Sequence, residues 1–374
     1  MEINLKISLP AKTGHSYPIV IAPQLLTNWT QWLPNYARSK KIVIISDSTV
    51  AELYGSQLAA SMNAAGYLAR LLTFPAGEFS KSANTKLELE EQMFAFGVDR
   101  HTLCLALGGG VVGDLAGFTA ATYMRGIQFI QIPTSLLAMI DSSVGGKTAV
   151  NTSYGKNIIG AFWQPQAVIM DCDLLKTLPR EQIVNGFFEA VKIFLTSDRE
   201  HFEYCAKQLD SIINLDYQPL TKVIKRAVGL KAQVVEIDEQ ELNLRMILNF
   251  GHTVGHALEK LSNFSVLHGF GVGFGMIVEA YIAKLSGLLT AIDYTLIEQF
   301  LLTMGVDLTL LNKYDHNEII TAMRGDKKNI NQQIKLVLLT GIGSVKNIDN
   351  QVAFPISDEL ILSALSDLTK RVGS

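Results

Sequence analysis

The sequence predicts an α/β domain with a largely parallel sheet, followed by a mainly α-helical domain. Through the first half, short apolar β-rich runs alternate with helical patterns. From about Arg180 the texture changes to long stretches of helical periodicity. A length of 374 residues also leaves room for two units at a typical domain size of roughly 150 residues.

Expected strands lie at 3–9, 18–21, 41–46, 68–74, 103–107, 129–132 and 167–170, with helices at 48–65 and 82–96 between them. Strand, helix, strand at this spacing implies parallel pairing. Leu178-Pro179 closes the α/β half, because a proline pushes the residue before it out of helical geometry. Beyond it, 181–196, 220–235, 245–261 and 272–285 read as helices, and 334–339 as a late strand. The expected domains are therefore 1–179 and 180–374. No repeat or low-complexity linker separates them, so they should pack closely and hold a ligand in the cleft between.

Composition narrows the function. Hydrophobic residues make up 48% and charged ones only 18%, so each charge inside an apolar segment calls for a reason. Lys+Arg at 32 against Asp+Glu at 35 leaves −3, which argues against nucleic acid and anionic membranes as partners. Intrinsic disorder needs low hydrophobicity and high net charge, and neither holds. Cys104, Cys172 and Cys205 are scattered and odd in number, which fits a reducing cytoplasm rather than a disulfide framework. The longest uncharged apolar stretch, 126–140, is too short and too broken by Gln128, Gln131 and Pro133 to span a bilayer. The beginning of the sequence shows no signal-peptide core.

Gly108, Gly110 and Gly113 satisfy G-x-G-x-x-G directly after the 103–107 strand. Glycines there let backbone amides approach a pyrophosphate, and the following helix start adds positive potential. The next strand ends Ile132-Pro133-Thr134 without the usual acidic ribose-binding residue, so the expected dinucleotide site has a non-standard layout. Residues 141–148 imitate a phosphate-binding P-loop through Gly146-Lys147-Thr148, but Asp141 replaces its first glycine and would repel the phosphate. What remains is a glycine-flexed loop presenting Asp141 and Lys147, with Gly155-Lys156-Asn157 shortly after. That set suits a phosphorylated, hydroxyl-rich ligand.

Read as one helix, 245–259 places Arg245, Asn249, His252, His256 and Glu259 at offsets 0, 4, 7, 11 and 14, along a single face of an otherwise apolar segment. Such a stripe lines an internal cleft, and Gly251 and Gly255 within it point to close approach by another backbone or a ligand. Two histidines at i, i+4 can ligate a metal or move protons. Thr253 stands where a zincin has glutamate, so the spacing does not select a metalloprotease. His268 returns after the 262–265 turn, and Glu189 interrupts an apolar helix with Lys192 at i+3. Two histidines and one glutamate leave an open position, as in catalytic zinc sites.

These blocks, together with Tyr123-Met-Arg-Gly126, Pro133-Thr-Ser135 and Asp326-Lys-Lys328, resemble the 3-dehydroquinate synthase family in order and interval over nearly the whole chain. The resemblance implies a Rossmann-like α/β NAD-binding domain followed by an α-helical metal- and substrate-binding domain. It implies a homodimeric cytoplasmic lyase of aromatic amino acid biosynthesis that turns 3-deoxy-D-arabino-heptulosonate 7-phosphate into 3-dehydroquinate and phosphate. NAD would oxidise a substrate hydroxyl transiently and be regenerated.

By the same resemblance, Zn2+ (or Co2+) would sit on Glu189, His252 and His268. Lys147, Asn157 and Arg125, with Lys327 or Lys328, would grip phosphate. Lys231, Arg245 and Asn249 would meet the substrate carboxylate and ring oxygens, and His256, Asp141 and Lys192 would order the ligands and relay protons. NAD would touch Asp47, Glu78, Lys81, Gly110, Val111, Val112, Gly113, Asp114, Thr134, Ser135, Lys147, Lys156 and Thr177. The chain departs from the family pattern at Phe187-Phe188, at Gly269-Phe270-Gly271-Val272 and at Ala22-Pro23-Gln24. Other sugar phosphate cyclases, such as sedoheptulose 7-phosphate cyclases and 2-deoxy-scyllo-inosose synthase, are the nearest alternative. A metal-dependent polyol dehydrogenase is a more distant one.

Overall fold

Strands β1 (Ile19–Ala22), β2 (Lys41–Asp47), β3 (Leu68–Phe74), β4 (Leu103–Gly108) and β5 (Phe129–Pro133) enter one sheet in a computed structural model that describes residues 16–325 and 333–372. After β5 the chain leaves for a hairpin, β6 (Lys147–Thr152) and β7 (Gly155–Phe162), and returns as β8 (Val168–Asp171). The sheet order is β1-β8-β5-β4-β2-β3, with every pair parallel. The expected strand at 3–9, and Lys327 and Lys328, lie outside the described residues.

Apolar side chains leave both sheet faces. Ile42 and Ile44 of β2 join Leu103, Leu105 and Leu107 in one layer, while Val43 and Ile45 join Cys104 and Ala106 in the other. Burial on both faces is why these strands read as continuous apolar runs. Short helix α1 (Ser48–Val50), a π turn (Ala51–Gly55) and α2 (Ser56–Ala64) link β2 to β3. The chain then crosses back through α3 (Ala83–Ala95) to β4 on the far side of β2, and α4 (Gly110–Thr122) follows β4. The crossover reverses strand order between β2 and β4, so Asp47 and the Gly108–Gly110 turn frame the crevice where open α/β sheets take ligands.

The rest is mainly helical: α5 (Arg180–Ser197), α6 (Arg199–Lys207), α7 (Leu209–Ile213), α8 (Tyr217–Ile237), α9 (His252–Leu261), α10 (His268–Leu285), α11 (Ala291–Thr303), α12 (His316–Arg324) and α13 (Asp358–Val372). Short strands β9 (Lys335–Val337), β10 (Leu339–Gly341), β11 (Ser344–Val345) and β12 (Ala353–Pro355) precede the last helix. Helix α10, buried along almost its whole length, is the centre against which α5, α9, α11 and α13 pack. No described helix is long and apolar enough to cross a membrane. The three cysteines are free and buried.

Two expectations need correction. Lys147 is not on a loop but opens β6, paired with Phe162. The polar stripe is not one helix: a 3-10 turn (Leu244–Asn249) carries Arg245 and Asn249, and α9 carries His252, His256 and Glu259. The break is Gly251, whose φ of +76° ends any continuous helix.

Backbone does approach the glycines closely. A Cβ on Gly275 would lie 1.9 Å from the Gly251 carbonyl oxygen, and one on Gly255 would lie 2.8 Å from that of Gly271. Helices α9 and α10 therefore cross in backbone contact. Gly275→Ala should force them apart and lower stability by about 1–3 kcal/mol or more, read as the shift in chemical denaturation. An unchanged midpoint would contradict the crossing.

Candidate active site

One face of α5 carries Asn185, Glu189 and Lys192, and it orders the site. The Asn185 side-chain oxygen accepts a hydrogen bond of 2.6 Å from the Gly269 amide, capping the first turn of α10. That cap sets His268, the first residue of α10, beside Glu189. The Glu189 carboxylate is fully buried. Its Oε2 pairs with Lys192 Nζ, whereas Oε1 makes no hydrogen bond. Oε1 lies 3.3 Å from His268 Nε2 and 3.8 Å from His252 Nε2.

Each imidazole turns its other nitrogen to an acceptor. His252 Nδ1 is 3.2 Å from the Phe250 carbonyl and His268 Nδ1 is 2.8 Å from Glu259 Oε1. With each Nδ1 turned to an acceptor, the two Nε2 atoms and Glu189 Oε1 converge within 4.8 Å of one another, which is the donor set of a divalent cation once His268 is neutral. His256 stands at the rim, its ring centroid 5.2 Å from that of His252.

Without a cation, charge inside this cluster shifts proton affinities. Burial lowers the His268 imidazole, but the close carboxylates of Glu189 and Glu259 outweigh it and raise it to about 10. Burial raises Glu259, yet its bond to His268 holds it at about 2. Glu189 likewise stays below the ordinary carboxylate range because Lys192 overrides its burial.

A second group of charges adjoins the first. Lys231 Nζ bonds Asp141 Oδ1 at 2.5 Å. Lys231 and Lys192 hold the half-buried Asp141 well below its usual range. Burial pulls the Lys231 ammonium down, whereas Glu189 and Asp141 overcome burial and raise Lys192. Arg245, 2% exposed, donates to the Gly145 and Glu239 carbonyls, and its Nε has no partner. Gly145 is required there: its φ is +101°, and a Cβ would lie 2.3 Å from the guanidinium. Glu241 pairs with Lys147 and accepts a 3.0 Å bond from Asn249 Nδ2. Sequence reasoning missed Glu241, because a glutamate in the acidic run Asp238-Glu-Gln-Glu looks like a solvated loop charge.

Two of the expected nucleotide residues, Lys81 and Asp114, bond each other directly. Lys81 Nζ bonds both Asp114 Oδ2 and Asn157 Oδ1 at 2.5 Å. Asn157 thus shares Lys81 with Asp114. Glu78 accepts a 2.8 Å bond from Asn151, a residue missed because β6 itself went unread. The amides of Gly110, Val111 and Val112 open α4, while the Val112 side chain is core. Gly113 lets Gln131 pack against the helix. The Thr134 amide donates to the Gly108 carbonyl, and the Ser135 hydroxyl accepts from Ala138. Asp47 caps α1 by accepting from the Thr49 and Val50 amides, and Thr177 bonds Tyr54 at 2.6 Å. Lys156 turns toward Glu259, 3.2 Å away. Arg125 is exposed beyond the C-terminal end of α4, at φ +67°, with no hydrogen bond or ion pair among the described residues.

Comparison with known proteins identifies the family. The family model for the 3-dehydroquinate synthase N-terminal region matches residues 71–185, and that for the C-terminal region matches 186–329. The chain belongs to the 3-dehydroquinate synthase family. A 3-dehydroquinate synthase of Thermodesulfovibrio yellowstonii is 41% identical over 353 residues, 94% of this chain and 97% of the relative. Among solved structures, ValA (2-epi-5-epi-valiolone synthase) from Streptomyces hygroscopicus subsp. jinggangensis, with NAD+ and Zn2+ bound, is 29% identical at TM-score 0.86, covering 98% and 100% of the two chains. A 2-deoxy-scyllo-inosose synthase complexed with carbaglucose-6-phosphate, NAD+ and Co2+ is 28% identical at TM-score 0.85, covering 93% and 96%. The protein is thus an enzyme, a lyase of the 3-dehydroquinate synthase family.

Two of the departures from the pattern of 3-dehydroquinate synthases are explained by each other. Phe188 and Phe270 meet edge to face with centroids 5.1 Å apart, and Phe188 is fully buried against Gly273. Phe188 belongs to the helical core, and Phe270 packs against that core. Phe188→Ala should cost about 3–5 kcal/mol of stability. A double-mutant cycle with Phe270→Ala should return a coupling of about 0.5–1.5 kcal/mol for the ring pair, and zero coupling would refute the pairing.

Proposed function

We propose that this enzyme converts 3-deoxy-D-arabino-heptulosonate 7-phosphate to 3-dehydroquinate and phosphate, with residues 1–179 holding NAD and residues 180–374 holding metal and substrate. The observation that carries the reading is the Glu189 oxygen facing two imidazole nitrogens, with Lys192 on the other oxygen of the same carboxylate. Glu189, His252 and His268 would hold Zn2+ or Co2+, which supplies Lewis acidity toward substrate oxygens. NAD would lie on the α4 N-terminus beside Lys81 and Asp114, supplying a reversible hydride acceptor. The solved relatives named above, bound to NAD+ with Zn2+ or Co2+, support both assignments.

The chain's own residues do the rest. Lys147, released from Glu241, binds phosphate oxygens, and Arg245 and Asn249 orient the substrate carboxylate. Lys231, an ammonium weakened by burial and kept next to the ionised Asp141, is the group best placed to give up and regain a proton. His256 at the rim serves the same purpose near the metal ligands. Holding one substrate through several easy steps accounts for most of the gain. Buried free thiols suit a reducing cytoplasm, and the family resemblance suits a homodimer.

A cyclase for a sugar phosphate lacking the carboxylate is the second reading. It leaves the buried Arg245 guanidinium without a partner for Nε. Kinetics with the heptulosonate phosphate and with sedoheptulose 7-phosphate should favour the acid by at least 10²-fold in kcat/KM, the discrimination that unpaired buried polar groups impose. Equal values would overturn the substrate assignment.

Metal binding should also depend on pH. His268 is protonated at neutral pH in the metal-free protein, since its pKa is raised to about 10. Ligation needs the neutral ring, so one proton leaves on binding. Affinity should rise about tenfold per pH unit through the neutral range and level off as pH nears that value. Chelator competition at several pH values measures the slope, and a flat profile would contradict the proton count.

A further inference from the structure

Glu259 is 4% exposed, and its two oxygens do different things. Oε1 receives His268 Nδ1 at 2.8 Å, while Oε2 lies 3.2 Å from Lys156 Nζ. His268 turns its opposite nitrogen to Glu189, and Lys156 belongs to the tip of the β6–β7 hairpin. The Lys156 ammonium also sits 4.1 Å over the ring of Phe264, in the turn that follows α9. The neighbouring hairpin residue, Asn157, bonds Lys81, which bonds Asp114. A buried carboxylate on α9 is therefore held from two sides, by a metal-facing imidazole and by a lysine of the nucleotide-side hairpin.

We propose that Glu259 is a positioning residue: it fixes the ring orientation and tautomer of His268 for metal ligation, and Lys156 anchors it from the hairpin. The inference rests on the metal-site reading above. An imidazole with both nitrogens free can rotate and present either one. A carboxylate fixed at Nδ1 keeps the proton there and leaves Nε2 as the only ligand atom. Glu259 cannot rotate away to solvent while Lys156 holds its second oxygen.

Full-length protein is to be titrated with Co2+ against a chelator, with the visible spectrum of the bound ion recorded in the same samples. Glu259→Ala should bind Co2+ about 10–100-fold more weakly than wild type and change the spectrum, as loss of an orienting partner does. Glu259→Gln keeps an acceptor for Nδ1–H and should stay within about threefold of wild type with the wild-type spectrum. Lys156→Met, which removes only the anchor, should weaken binding about 3–10-fold, less than the alanine variant.

Wild-type affinity in a folded Glu259→Ala variant would overturn the proposal. So would a glutamine variant as damaged as the alanine one, which also covers an alanine variant that fails to fold. Failure of wild type itself to take up one Co2+ would instead sink the underlying metal-site reading.

Discussion

His268→Ala is expected to weaken Zn2+ binding by roughly 10²–10³-fold and to remove activity at ordinary metal concentrations. The magnitude follows from spreading the ~10–16 kcal/mol of a four-ligand zinc site over its ligands, about 2.5–4 kcal/mol each. The fold should survive. His268 is the first residue of α10 and partly exposed, and the Asn185 cap acts on Gly269, not on the imidazole. Loss of the ring also frees Glu259, which keeps Lys156 as a partner. Equilibrium dialysis with zinc and a far-ultraviolet circular dichroism melt decide the matter together. Unchanged affinity in a folded variant would remove His268 from the ligand set.

The second large effect concerns stability. Lys192→Met should destabilise the metal-free protein by about 3–5 kcal/mol, since it takes from the fully buried Glu189 carboxylate the ammonium paired with its Oε2. Methionine keeps most of the volume, so packing loss adds little. A bound divalent ion would restore an opposite charge to Glu189, so the loss should shrink when metal is present. Chemical denaturation with and without Zn2+ measures both arms. An equal loss in the two conditions would show that Lys192 stabilises by something other than neutralising Glu189.

How far the sequence could be read depends on what each residue answers to. The parallel sheet was legible because β2, β4 and β5 bury both faces and therefore read as unbroken apolar runs. Glu189 and Lys192 were legible because charges within an apolar helix are costly to bury without a purpose. The crossing of α9 and α10 showed itself in glycines where a helix prefers alanine.

Other features left no trace. The β6–β7 hairpin is polar and glycine-rich, and its exposed Ile158, Ile159 and Phe162 spoil the alternation that marks a half-buried strand. The break at Gly251 depends on a backbone φ, and one glycine in a periodic segment does not reveal its dihedral. Glu241, Asn151 and the anchoring of Glu259 by Lys156 join residues far apart in the chain. Long-range polar pairs of that kind carry no periodic signal.

In the proposed reaction the NAD-side crevice and the metal-facing cluster act on one phosphorylated acid without net redox change. Its most direct measurement incubates zinc-loaded enzyme with 3-deoxy-D-arabino-heptulosonate 7-phosphate and NAD at a hundredth of the substrate concentration, following phosphate and absorbance of reduced nicotinamide together. The expected result is stoichiometric phosphate and 3-dehydroquinate, many turnovers per NAD, and no accumulation of NADH. Phosphate release capped at one equivalent per NAD, or NADH accumulating in step with product, would contradict it.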